Sequence, residues 1–365
     1  VVKLCLTGDV MSGRGIDQIL RHTGDPRICE RWMSSALGYV ALAERRSGPI
    51  PRRVGPEYVW GDALEVLRAE RPDALVVNLE TAVTDRGRPW PGKGIQYRMH
   101  PANVELLTAA GVDVAVLANN HVLDWSEPGL DQTLEVLDTA GIASVGAGRD
   151  RAGAWRAAVR QAPAAARVVV VAAGTASSGI PWDWAADEGR PGVAFLAELS
   201  DRAVERIAAV VASAVIGGDV VVVSLHWGPN WGYAIPPEHR RFARALIDRA
   251  GAHVVHGHSS HHPLGIEVHR GRLILYGCGD LITDYEGIGG HERYRGELGA
   301  LYLATVDPGT GLLQGLDLVP TKLERFRLNH PAGQDLEWLA AVLQREGASL
   351  GTTVAAVDGR LSLRW

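Results

Sequence analysis

Cysteine is scarce in this chain. Three residues, Cys5, Cys29 and Cys278, are scattered over 365 positions, so neither a disulfide framework nor a thiolate zinc motif follows from them, and a reducing compartment is expected. Long hydrophobic runs are missing too: nothing approaches the ~20 consecutive apolar residues of a membrane helix. The chain opens directly in a strand-like run at residues 1–6, with no signal-peptide pattern and no initiator methionine. That points to a trimmed start and leaves the cytoplasm as the expected location. Positive charge is not in excess, with 37 Lys and Arg against 42 Asp and Glu and a net charge of −5, which argues against a nucleic-acid partner. Repeats and low-complexity tracts are absent, apart from a mild alanine bias at residues 162–166. A nucleotide-binding loop is absent as well. Gly87, Gly92 and Lys93 imitate one, but no Ser or Thr follows the lysine, prolines interrupt the stretch, and no strand leads directly into it.

With 46% hydrophobic and 22% charged residues, the chain has the composition of a globular protein with one large core, or a core and a small appendage. Apolar runs at residues 1–6, 74–77, 112–117, 168–173, 220–225 and 253–255 are rich in Val and Leu and nearly continuous, which suits strands buried on both faces. Helical patterns alternate with them at residues 62–70, 101–110, 126–140, 200–216 and 238–250, with Ser126 and Ser200 as expected N-caps. This spacing predicts α/β units. From residue 265 the pattern changes. Two strand pairs, 265–269 with 273–276 and 301–306 with 312–319, are joined by turn-like sequences and predict antiparallel pairing. That portion is expected to face the parallel one as the second inner layer of a sandwich. Residues 22–61 and 177–192 are predicted to be long loops.

Five of the six apolar runs end on side chains able to bind metal or carry protons. These are Asp9 after Gly8; Asn78 and Glu80; Asn119, Asn120 and His121, with Asp124 beyond; His226; and His256, His258, His261 and His262. A later strand ends in Asp280, with Asp284 after it. The carboxyl ends of parallel strands gather on one edge of an α/β sheet, so residues far apart in the chain are expected to meet there. Asp, Glu, Asn and His offer oxygen and imidazole ligands without thiolate, a set suited to Mn²⁺, Fe, Zn²⁺ or Mg²⁺. Taken singly these residues say less: an aspartate after a strand often only shapes a turn, and a lone histidine is more often structural. His253, His269, His291 and Cys278 are expected to be structural. The four histidines within residues 256–262 weigh the other way, because such a loop is costly without a function. Trp125, Trp182, Trp184, Trp227 and Trp231 suit either a pocket wall or the core.

Taken in order, these residues resemble the motifs of the CapA family of poly-γ-glutamate biosynthesis proteins, relatives of the calcineurin-like metallophosphoesterases. The resemblance is carried by Gly8, Asp9, Val10 and Met11 with Arg14; by Asn78, Leu79, Glu80 and Thr81; and by Ala118, Asn119, Asn120 and His121 with Asp124. It continues through His226, Trp227 and Gly228, and through Gly257, His258, Ser259, Ser260 and His261. It implies an α/β fold, a four-layer α/β/β/α sandwich of metallophosphoesterase type. It also implies metal ligands at Asp9, Glu80, Asn120, His226, His258 and His261, holding one or two divalent ions, Mn²⁺, Fe or Zn²⁺. His121 is implied as general acid or oxyanion contact, with Asp124 as its catalytic companion, and Arg14 as the group that steadies an anion. Arg14, Trp227 and Arg98 are the expected substrate contacts, and Asp280 is added to the site from its place in the chain alone. Three departures stand out: Met11 occupies the place of a histidine ligand, Glu80 that of a bridging aspartate, and His258 and His261 are separated by two residues rather than one. Residues 1–325 are expected to form the domain, with residues 326–365 as a C-terminal helix and tail packed on it. The expected function is a metal-dependent hydrolase acting on an anionic small substrate, a phosphoester or a γ-glutamyl-type amide, in a biosynthetic pathway. The alternatives are an amide-forming or transfer enzyme of poly-γ-glutamate-like synthesis and a non-catalytic module that binds a polymer or a metal. Oligomeric state leaves no signature in the sequence.

Overall fold

The valine-rich runs divide between two sheets. The computed structural model describes residues 1–162 and 166–365, so part of the alanine-biased stretch lies outside the described residues. The first sheet runs in the order Thr353–Val357, Arg360–Arg364, Leu313–Glu324, Leu298–Val306, Val2–Val10, Ala74–Leu79, Val114–Val116, Ala143–Val145. From Val2–Val10 onwards its strands are parallel, and on the other side they are antiparallel. Leu298–Val306 pairs with residues 2–7, and beyond that Asp280–Ile282 takes over alongside Asp9 and Val10, in parallel. The second sheet runs Phe195–Leu196, Arg167–Thr175, Val220–His226, Val254–His258, Arg272–Leu275, Ile266–His269, parallel except for the last strand.

Both hairpins form as expected, but they do not make a separate facing layer. A hairpin presents unpaired backbone groups that need a neighbour, and each pair finds one in a sheet already built from parallel strands. Arg272–Leu275 lies beside Val254–His258, and Leu298–Val306 lies beside Val2–Val10. Residues 22–61 are not loop throughout, since they contain helices Leu37–Ser47 and Glu57–Trp60. Ser200 caps helix Asp201–Ala214 by accepting the Ala203 N–H at 3.4 Å. Ser126 does not cap; its hydroxyl donates instead to the Arg88 carbonyl at 2.8 Å.

Successive side chains on a strand point to opposite faces, so each apolar run feeds two cores at once. Leu4, Leu6, Ala74, Val76, Val114 and Val116 of the first sheet share one buried cluster with Val168, Val170, Val220, Val222, Val254 and Leu273 of the second. The intervening residues Cys5, Leu75, Val77 and Ala115 pack on the other side with Leu64 and Leu67 of helix Ala63–Glu70 and Leu106 and Leu107 of helix Glu105–Ala110. On the second sheet, Val221, Val223 and Val255 pack with Val204 and Ile207 of Asp201–Ala214 and Phe242 and Leu246 of helix Pro237–Arg249. Near the C-terminus, Leu339 and Leu343 of helix Gly333–Gly347, together with Leu361, enter the cluster shared by the two sheets. Among the described residues no helix is long and apolar enough to cross a membrane.

Candidate metal centre

The inter-sheet face continues past the apolar part of each strand and becomes polar. Ala74 and Val76 are followed at the same parity by Asn78 and Glu80, Val220 and Val222 by Ser224 and His226, and Val254 by His256 and His258. All six polar residues are buried. Asp9 reaches this face by an exception. Strict alternation from Leu4 and Leu6 would turn Val10 inward, but the pairing with Ala74–Leu79 shifts register between Leu6 and Asp9, and Val10 joins Cys5 in the helix-side core. An irregularity of this kind re-aims a side chain, and here the side chain is Asp9. The approach of the neighbouring strand demands glycine at position 8, where a Cβ would lie 1.7 Å from the Gly279 carbonyl oxygen. The Asp9 N–H donates to that same oxygen at 2.9 Å, and the register sets Asp9 beside both Asn78 and Asp280. After His258 the chain turns through Ser259 at φ 99°, a strained conformation for a residue with a side chain, and returns His261 to the cluster.

The hydrogen bonds fix how the side chains present themselves. His256 donates its Nε2–H to the Thr7 carbonyl at 2.8 Å, which leaves its Nδ1 to accept from the Ser224 hydroxyl at 3.1 Å. The Ser224 oxygen in turn accepts the Nε2–H of His258 at 2.9 Å. His258 Nδ1 is therefore the bare nitrogen, and it lies 2.8 Å from Nδ1 of His226. Two imidazole nitrogens this close need a proton or a cation between them. His226 Nε2 lies 3.0 Å from Asn120 Oδ1. Asn78 donates to Asp9 Oδ1 at 2.8 Å and to Glu80 Oε2 at 3.1 Å, and is itself held by Asn119 at 3.1 Å. Asp9 Oδ2 is buried without a hydrogen-bond partner. Such orphaned oxygens are rare in folded proteins.

Crowding of buried carboxylates dominates the electrostatics. Burial, then the nearby Asp280, pushes Asp9 up to about 7. Burial and the Asp9 charge raise Glu80 well above the ordinary carboxylate range, and burial raises Asp280. Burial alone would lower His261, but Asp280 and Asp9 hold it above its usual value. Burial and neighbouring positive charges pull His226 and His258 well below theirs. Carboxylates that resist ionising beside imidazoles that resist protonation form a site in want of an external cation. Ligand atoms of Asp9, His226 and His258 all lie within 4.8 Å of one another, as do those of Asp9, His261 and Asp280. The donor set fits a divalent ion.

A proton-handling group adjoins the cluster. His121 Nδ1 lies 2.6 Å from Asp124 Oδ2, and its Nε2 lies 3.8 Å from Glu80 Oε1. Asp124 also accepts the Tyr97 N–H at 2.6 Å, and its other oxygen is ion-paired with Lys93 at 2.6 Å. Burial lowers His121 to about 4, with Lys93 adding to the effect and Asp124 opposing it. Half-buried Asn120 and Trp231 and exposed Ser177 and Asn230 border the cluster on its open side. The Ser177 hydroxyl accepts the Gly228 N–H at 3.0 Å, and the Asn230 carbonyl accepts the His261 N–H at 2.9 Å.

The fold thus brings together Asp9, Glu80, Asn120, His121, Asp124, His226, His258, His261 and Asp280; of the three expected substrate contacts it leaves Trp227 and Arg98 elsewhere and holds Arg14 behind the cluster, over the Tyr97 ring that packs edge-on against His121. Trp227 follows His226, so the pleat turns it to the helix side. There it stacks on His239 at 4.5 Å and donates its indole N–H to the Tyr276 carbonyl at 2.9 Å. Arg14 is buried and spent on two carboxylates: Nε and Nη2 lie 2.7 and 2.5 Å from Asp284, and Nη1 lies 3.0 Å from Glu30. Arg98 lies over the Trp125 ring at 3.6 Å and donates to the Asp25 carbonyl. Asn78 and His256, read from the sequence as polar strand ends without a role, position Asp9, Glu80 and Ser224. Lys93, dismissed with its glycine-rich stretch, and Ser224 are the residues that sequence reasoning missed, and parity with His226 is the signal that would have found Ser224.

Residues 3–285 match the family described as bacterial capsule synthesis protein PGA_cap. The chain is 48% identical over 355 residues to a probable polyglutamine synthesis accessory protein of Mycobacterium tuberculosis, covering 97% of this chain and 93% of that one. It is 26% identical over 284 residues to the PGA biosynthesis protein CapA of Bacillus subtilis, covering 78% and 64%. It is 27% identical over 258 residues to the capsule biosynthesis protein CapA of Bacillus anthracis, covering 70% and 60%. By the extent of these matches the chain belongs to the PGA_cap family of bacterial capsule synthesis proteins, the family of CapA.

Proposed function

We propose that the protein is a metal-dependent hydrolase in polyglutamate or polyglutamine synthesis, acting on an anionic phosphoester or γ-glutamyl amide at the cluster between the sheets. The observation that supports catalysis is His121. Asp124 holds its Nδ1–H, and Lys93 closes on the other Asp124 oxygen, so the ring is fixed with Nε2 turned toward Glu80. Asp9, His226 and His258 would hold the ion, with Glu80 and Asn120 beside them. A bound divalent cation supplies Lewis acidity, drawing electron density from a phosphoryl or carbonyl oxygen and making water a stronger acid. Burial keeps the His121 imidazole neutral near pH 7, so its Nε2 can take a proton from the attacking water and return it to the leaving group. Lys93 neutralises the Asp124 carboxylate that holds the ring.

The alternation of inter-sheet and helix-side cores supports reading the fold as a four-layer α/β/β/α sandwich of metallophosphoesterase type. Residues 326–365 are proposed as an appendage to a domain of residues 1–325, tied to it through Leu339, Leu343 and Leu361. The name of the mycobacterial relative, an accessory protein, favours a second reading: a module that holds metal and polymer without turnover. An assay of metal-loaded protein on a generic phosphodiester and on a γ-glutamyl anilide separates the two. Turnover of one class is expected, falling about 100-fold or more in His121→Ala with metal content unchanged. Metal-loaded protein that turns over neither class would leave the binding module.

A further inference from the structure

We infer that the outward stripe of helix Pro237–Arg249 is a binding groove for an extended polycarboxylate, a glutamyl chain, set apart from the metal cluster. That the chain is glutamyl rests on the pathway proposed above. That it carries carboxylates rests on the groove itself, and binding there needs no metal.

The helix divides its positions between two faces. His239, Phe242, Ala243, Leu246 and Ile247 are buried. Arg240, Arg241, Arg244 and Arg249 recur at helical spacing on the other side and line an open groove of about 520 Å³. Arg270 and Arg272, at the turn between the last two strands of the second sheet, adjoin it. Three carboxylates answer these six arginines: Glu267 meets Arg240 and Arg244, Asp201 meets Arg249, and Asp248 meets Arg270. Glu238, one turn before Arg241, pairs with none of them among the described residues. Arg241 is exposed and Arg272 spends its guanidinium on backbone carbonyls, so neither charge is met by a carboxylate among the described residues. On a chain whose net charge is −5, this local excess of positive charge draws anions to one face.

The arginines already display the chemistry they favour. Arg244 sets Nε and Nη2 at 2.7 and 2.6 Å from one oxygen of Glu267, and Arg240 lies 3.8 Å from the other. Glu267 is buried and also accepts the Tyr276 hydroxyl at 2.7 Å, so both guanidiniums are held in place before a ligand arrives. Single-stranded nucleic acid is gripped by rings on which its bases stack, and none lines this groove. A helix that lies on a membrane presents large apolar side chains, and the apolar lining here is Pro237 and Ala245. A flexible chain of spaced carboxylates fits, each taken by the fork of a guanidinium. From residue 237 to residue 249 the helix runs about 18 Å. That length holds about five residues of an α-linked glutamyl chain, and fewer of a γ-linked one. The first turn lies beside the strand end that carries His226, since His239 stacks on Trp227, so one end of a bound chain comes close to the rim of the cluster.

The test is fluorescence anisotropy of labelled poly-γ-glutamate with the whole chain, at low salt and with a chelator present. The wild type is expected to bind, with an affinity that falls as salt is raised. Arg241→Glu with Arg249→Glu, both exposed, should weaken binding about 10-fold or more. Arg45→Glu with Arg46→Glu makes the same change of charge on helix Leu37–Ser47 and should bind as the wild type does. Equal loss in the two pairs overturns the groove, because net charge alone would then set the affinity. A wild type without affinity for the polymer overturns it too and leaves the proposed hydrolase standing, since binding is read without metal. Tighter binding of an oligothymidylate of equal charge, or of phosphatidylglycerol vesicles, that is lost in the Arg241 and Arg249 pair would give the face to phosphate and overturn the polycarboxylate.

Discussion

At Lys93 a single charge determines how a buried carboxylate is used. With its ammonium 2.6 Å from Asp124 and 3.1 Å from His121 Nδ1, the residue balances an aspartate that is otherwise held by a backbone N–H and an imidazole. Removing one partner of a buried pair costs more than the pair was worth, because the other charge is stranded. Lys93→Met should therefore lower unfolding free energy by about 3 kcal/mol in urea titration, with Lys93→Arg recovering part of it. An unchanged urea midpoint in the methionine variant would remove Lys93 from the account of the site. His253 makes a separate prediction, far from the cluster. Its Nδ1 accepts the Val221 N–H at 3.1 Å, and burial, with Arg272 nearby, lowers it to about 4. Below an unfolded value of ~6.5 the unfolded chain takes up a proton that the folded chain refuses. The stabilisation is complete above pH ~6.5 and is lost as pH falls toward 4. At ~1.4 kcal/mol per unit, discounted for the ring's remaining contact with solvent, it amounts to ~2 kcal/mol. His253→Asn keeps an acceptor near the Nδ1 position without titrating, so unfolding measured from pH 7 to 4 should show a shallower decline. An identical slope would count against this origin.

At the scale of the strand, the close approach at Gly8 joins the two halves of the cluster. Adding a methyl group there meets the Gly279 carbonyl, a backbone atom that cannot move without shifting Asp280 relative to Asp9. Gly8→Ala should cost about 3 kcal/mol or more and lower metal content in the same preparation, measured by urea midpoint and elemental analysis. A stable variant with full metal would show that the register tolerates the change. The same strand marks the limit of what the amino-acid pattern discloses. That Val2–Val10 is a strand ending in a ligand-type residue is legible, because a valine-rich run closed by glycine and aspartate has few other readings. Which way Asp9 points is not legible, since a strand buried on both faces shows no alternation and its irregularity follows from pairing with Ala74–Leu79. Trp227 was legible and was missed: a residue next to an inward histidine must face outward. Arg14 was not, because Asp284, the partner that engages it, lies 270 positions away. The division of the runs between two sheets left no mark either, since every run is equally apolar and what separates them is which edges the hairpins extend.

For the whole molecule, the consequence is that the proposed metal would tie two sheets together. Asp9 belongs to the first sheet and His226 and His258 to the second, and the apolar cluster between the sheets ends where these side chains begin. Without an ion that end of the interface holds buried carboxylates and two facing imidazole nitrogens. With one, the same groups become a bridge. A ligand that binds the folded state alone stabilises it by mass action, about 2.7 kcal/mol at a hundredfold excess over its dissociation constant. In a chain of this size that corresponds to a rise in Tm of roughly 3–4 °C. Adding Mn²⁺ or Zn²⁺ should produce such a rise in a melting curve, and a chelator should reverse it. Asp9→Ala and His258→Ala should melt at the same temperature with and without metal. Leu361→Ala is the control for general destabilisation. It removes a buried side chain from the same inter-sheet core at about 3 kcal/mol, and should lower both melting temperatures while keeping the difference between them. A wild-type melting temperature indifferent to divalent metal would mean that the polar end of the interface closes on itself with protons, and that no ion bridges the two sheets.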